Sequence, residues 1–73
     1  DKTRITILHR NIPNMIGQFT ALLAKDNVNI DDMTNKSRGS YAYTMIDVDN
    51  DVAEDVVKGL EMIEGVLKVR VIA

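Results

Sequence analysis

The sequence predicts an α+β fold in which a four-stranded antiparallel sheet carries two helices on one face. Three observations predict it. Four segments alternate apolar and polar residues with period two, two segments repeat apolar residues at helical spacing, and their order is β-α-β-β-α-β. Each helical segment has a single apolar stripe, so one sheet face can cover both. The 73 residues leave room for one domain, taken as residues 1–73 and expected to be a piece of a longer enzyme.

The first strand is expected over residues 3–9, with Ile5 and Ile7 facing one way and Arg4, Thr6 and Leu8 the other. The segment 10–13 breaks the alternation. Pro13 suits the first turn of a helix, where its missing N–H costs nothing. Met15, Ile16, Phe19, Leu22 and Leu23 then form one helical stripe. Gly17 inside this helix costs up to ~1 kcal/mol against Ala, which close packing against a strand would explain. Asn27 is a left-handed stop.

Residues 28–37 read as an edge strand. Ile30 is the inward candidate, and Asp31, Asp32, Asn35 and Lys36 discourage stray pairing. Arg38-Gly39 signals a turn. Residues 41–48 form a stronger strand, with Ala42, Ile46 and Val48 on one face and Tyr41, Tyr43 and Met45 on the other. Asp49, Asn50 and Asp51 form a cap cluster, and Asp51 with Glu54 has capping-box spacing. Val52, Val56, Val57, Leu60 and Ile63 make the second helical stripe, which Gly65 would end. The last strand, residues 66–72, would turn Leu67, Val69 and Val71 inward and Lys68 and Arg70 outward. The plan is ferredoxin-like, with strand order 4-1-3-2.

Composition removes several functional classes. Nine Lys and Arg against 11 Asp and Glu give a net charge of −2, which argues against an electrostatic nucleic-acid or membrane binder. No run approaches the ~18 apolar residues of a membrane span. With no Cys and no basic-then-apolar opening, a cytoplasmic location is expected. One His and no Cys leave no nucleophilic triad or metal cluster to assemble, so no catalytic residue, metal or cofactor is expected in this domain.

The segment His9-Arg10-Asn11-Ile12-Pro13-Asn14-Met15-Ile16 offers more. It runs from a strand end into a helix N-terminus, whose unpaired N–H groups attract a carboxylate. His9 and Asn11 flank it with polar groups. The competing reading is that Asn11 caps the helix and His9 ends a strand at the surface.

The layout His9-x-Asn11-x-Pro13, a helix, then Asn27-Val28-Asn29-Ile30 resembles the ACT domain. It is most similar to the C-terminal regulatory domain of D-3-phosphoglycerate dehydrogenases. The likeness spans nearly the whole chain and includes Tyr43-Thr44-Met45-Ile46-Asp47-Val48-Asp49 and Val52-Ala53-Glu54. It implies an allosteric domain that senses L-serine for feedback control of serine biosynthesis, in a parent enzyme whose catalytic domains use NAD. It also implies side-by-side homodimers. The positions matching His9 and Asn11, with Ile12, Asn14, Met15 and Ile16 around them, would meet the effector from the loop, and the position matching Asn29 from the partner subunit. One departure is Asn14, where the family has Gly; Asn is the best substitute for Gly in a left-handed conformation.

Two other readings remain open. One is an ACT-type dimerisation module with a different amino-acid ligand or none. The other is an RNA-recognition motif, which shares the element order and places aromatics such as Tyr41 and Tyr43 on its third strand. The net negative charge weighs against the second.

Overall fold

The computed structural model describes residues 3–49 and 51–72. It contains β1 (Thr3–Arg10), α1 (Met15–Lys25), β2 (Ile30–Arg38), β3 (Tyr41–Val48), α2 (Glu54–Glu61) and β4 (Val66–Ile72). The strands form one antiparallel sheet in the order β2-β3-β1-β4, the expected order read from the other edge.

Alternation in the strands and the stripes on the helices meet in one core. Ile5 and Ile7 of β1 and Ile46 and Val48 of β3 pack with Met15, Phe19 and Leu23 of α1 and Val56 and Leu60 of α2. β2 is an edge, as its polar residues predict, and only Ile30 and Thr34 of it are half-buried. A two-residue turn at Gly39 and Ser40 joins β2 to β3, with Gly39 at φ 61. α1 ends in a Schellman motif: Asn27 at φ 58 donates to the Ala24 carbonyl at 3.1 Å, and Val28 to that of Leu23 at 2.9 Å. Buried Val28 and Leu23 supply the hydrophobic contact of that motif.

Several local expectations are corrected. Pro13 lies in the turn before α1, which starts at Met15 behind an N-cap Asn14. Gly17 is exposed and does not pack on a strand; a Cβ there would meet the Asn14 side chain. α2 starts at Glu54 after an extended Ala53, with no side-chain cap bond, so Asp51 and Glu54 make no capping box. Asn50 lies outside the described residues. α2 ends at Glu61, and Gly65, at φ 100, belongs to the turn that feeds β4. Leu67 is 52% exposed because the register of β4 on β1 shifts between Leu8 and His9, placing it out of alternation. Val71 keeps its inward register opposite Ile5 but is 42% exposed on edge strand β4. Thr6 does face outward, as expected, but is buried there between Met45 and Arg70.

Candidate functional site

The site is built on the loop between β1 and α1, at the end of the sheet where the β2–β3 turn also lies. Neighbouring turns hold this loop on both sides. Arg10 N–H donates to the Gly65 carbonyl at 2.8 Å, and Asn11 N–H to the Ser40 carbonyl at 2.8 Å. The Asn11 side chain donates from Nδ2 to the Gly39 carbonyl at 3.2 Å. Ile12 and Met15 close over Gly65: a Cβ there would lie 3.0 Å from Ile12 Cδ1 and 3.2 Å from Met15 Cε.

Asn14 starts the helix in the left-handed conformation, φ 64, as expected of Asn in place of Gly. Its carbonyl accepts from Gln18 N–H at 3.3 Å and Gln18 Nε2 at 3.1 Å, while its side chain makes no cap bond. No acidic residue occupies the first turn of α1. The first-turn N–H groups, which have no partner inside the helix, therefore keep their partial positive charge uncompensated by a side chain.

His9 is placed differently from Asn11 and Asn14. It is 2% exposed, on the helix-covered side of β1, with its ring edge-on to Phe19 at a centroid distance of 5.0 Å. Nδ1 donates to the Arg10 carbonyl at 2.9 Å, and Nε2 lies 2.8 Å from Thr44 Oγ1. Thr44 in turn lies 2.8 Å from Asn35 Oδ1. His9 thus ties the loop's first carbonyl to β3 and β2. It is not a surface residue at a strand end. Thr44 and Asn35 are partners of His9 at the candidate site that sequence reasoning missed. The signal for Thr44 was its inward register among Ala42, Ile46 and Val48, where a hydroxyl requires a partner.

Asn29 is not brought to this loop. It precedes β2 at the opposite end of the sheet, where its Nδ2 donates to Asp49 Oδ2 at 2.7 Å and its carbonyl accepts from Asp49 N–H at 3.3 Å. The eight residues of β3 separate the two ends, about 24 Å at the usual strand rise.

No family profile matches the chain, and no curated protein sequence matches it. Solved structures do. The regulatory subunit of aspartate kinase from Thermus thermophilus superposes with a TM-score of 0.78 at 18% identity, over 97% of this chain and 50% of that one. The acetolactate synthase small subunit from Thermotoga maritima gives 0.82 at 22%, over 100% of this chain and 48% of that one. An ACT domain protein from Streptococcus pneumoniae gives 0.74 at 20%, over 96% and 85%. The chain therefore spans about half the length of the first two, and its fold is the one these proteins share.

Proposed function

We propose that the chain is an ACT-type regulatory domain that binds a small amino acid, L-serine, between the 9–16 loop of one copy and Asn29 of a second. The observation that carries this reading is the start of α1: a helix N-terminus without side-chain cap or acidic residue, in a loop braced from two sides. Its N–H groups suit a carboxylate. The Asn11 side chain, tethered through Nδ2, keeps its carbonyl oxygen for an ammonium group. His9 Nδ1 donates to the Arg10 carbonyl, next to this loop, and is the ring N–H that would exchange partners for a carboxylate. Because Asn29 sits at the far end of its own sheet, it joins the site only through a partner subunit in a homodimer.

The parent proposed is D-3-phosphoglycerate dehydrogenase, with the catalytic domains binding NAD and this domain imposing feedback by serine. A ligand that bridges two copies favours their closed arrangement, and that arrangement must bind the ligand more tightly in return. Calorimetric titration with L-serine tests the reading, with D-serine as control. Losing a charge-assisted hydrogen bond costs roughly 1.5–3 kcal/mol, so Asn11→Ala and Asn29→Ala should each weaken serine about tenfold to a hundredfold. Wild-type affinity in both variants would move the site elsewhere. Another amino acid binding in place of serine would retain the module and discard the parent.

A further inference from the structure

We propose that the open face of the sheet, opposite the helices, binds single-stranded nucleic acid. Register places the side chains of that face in rows across the strands. From the β2–β3 turn inward they are Arg38, Tyr41 and Arg10, then Lys36, Tyr43, Leu8 and Lys68, then Thr34, Met45, Thr6 and Arg70. These three rows hold five of the nine Lys and Arg residues of the chain and none of its 11 Asp and Glu. Carboxylates enter only in the next row, Asp32 and Asp47. There Arg4 forks onto Asp47 at 2.8 and 3.1 Å, which raises the guanidinium pKa above its ordinary value. The net charge of −2 therefore averages over a segregated surface, and the field a ligand meets on this face is positive.

The shape matches the charge. A hollow of about 550 Å³ lies on the β2 side, with Lys36, Arg38 and Tyr41 in its lining, and one of about 190 Å³ lies on the β4 side, with Lys68 and Arg70. Tyr43 and Leu8 line both, so they form the ridge between two cation pairs. Tyr41 and Tyr43 are 53% and 40% exposed and stand two residues apart on one face, about 7 Å along the strand. The cation-bearing edge strands are three strand spacings apart, about 14 Å. A chain of nucleotides spans that distance, phosphates to the two edges and bases on the rings between, and a lone phosphate does not. An acidic protein surface would satisfy the cations but leave both rings without planar partners, whereas stacked bases and tracked phosphates use both features.

The face adjoins the serine site at Arg10, but Tyr43, Lys36, Arg38, Lys68 and Arg70 take no part in holding serine, so each site stands or falls alone. The test is fluorescence anisotropy of a labelled uridine decamer with the 73-residue chain in 50 mM KCl. Expected are saturable binding and a slope of log affinity on log salt of about −3, from roughly −0.7 for each of four contacted phosphates. Tyr43→Ala should weaken binding about tenfold or more, while Tyr43→Phe retains it. Lys36→Glu with Arg38→Glu, and Lys68→Glu with Arg70→Glu, should each abolish it, with circular dichroism unchanged because all four residues are exposed. No saturable binding, or wild-type binding by Tyr43→Ala, overturns the proposal. So does equal binding of a ten-base-pair duplex, of oligoglutamate or of uridine monophosphate, each of which would reduce the face to a site for anions or single nucleotides.

Discussion

His9 Nε2 lies 2.8 Å from Thr44 Oγ1 in a buried pair that fastens β1 to β3 directly beneath the loop of the candidate site. The proton arrangement follows from the partners. The Arg10 carbonyl can only accept, so Nδ1 carries a proton. The chain His9–Thr44–Asn35 thus runs from a core residue of β1 through β3 to an amide on the edge strand β2.

Thr44→Val keeps the shape and removes both bonds. A buried polar group left without its partner costs about 1–3 kcal/mol. For a domain of this size that is a fall in Tm of roughly 5–20 °C, read by thermal unfolding. An unchanged Tm would show that the chain contributes nothing to stability. With the ring neutral, two-dimensional ¹H–¹⁵N spectra should show the Nδ1–H tautomer, and the Nε2–H form would contradict the geometry.

Gly65 and Gly39 make a matched pair. Both have positive φ, 100 and 61, but only at Gly65 would a Cβ also press on Ile12 and Met15, at 3.0 and 3.2 Å; at Gly39 nothing lies within 4 Å. Gly39→Ala should cost the backbone strain alone, about 1–2 kcal/mol. Gly65→Ala should cost more and also weaken any ligand held by the loop, since Arg10 N–H is anchored on the Gly65 carbonyl. Equal destabilisation of the two variants, with equal ligand affinity, would refute the packing role given to Gly65.

The fold was legible because its signals are periodic. Ile5 and Ile7, the α1 stripe and the alternation of 41–48 each fix a face without knowledge of any partner. What escaped depends on contacts between segments. The bulge that turns Leu67 out exists only in the pairing of β4 with β1. Gly17 has its reason in the side chain of Asn14, three residues away but outside the helix. At the candidate site, the left-handed Asn14 was readable from residue type. Alternation from Ile5 and Ile7 also put His9 on the inner face, but its burial was not readable, because nothing in the strand shows that Phe19 of α1 covers that end.

The end of α1 gives a prediction of sign. Asn27 occupies the left-handed position of the Schellman motif. Asn27→Gly should leave stability unchanged or raise it by a few tenths of a kcal/mol, because Gly adopts that conformation without steric cost. Asn27→Val should lower it by about 1–2 kcal/mol, since a β-branched residue is strained there. Denaturant unfolding separates the two. Equal midpoints would mean that the chain leaves α1 by another route.

The start of α1 couples two residues, and a double-mutant cycle measures the coupling. Gly17→Ala gains helix propensity, up to ~1 kcal/mol, but its methyl would collide with Asn14 Oδ1. That oxygen ends a flexible side chain and makes no cap hydrogen bond, so it can swing away at the cost of rotamer freedom. The single variant should therefore sit near wild type. Asn14→Gly removes the obstructing oxygen and relieves the left-handed backbone, while the carbonyl that accepts from Gln18 is unchanged. In that background Gly17→Ala should show its full gain. The interaction free energy is expected at about 0.5 kcal/mol or more, as for residues in direct contact. Additivity within error would mean that the Asn14 side chain does not lie over Gly17 in solution. The helix N-terminus would then be more open to a carboxylate than its present geometry makes it, and serine affinity would be indifferent to Asn14→Gly.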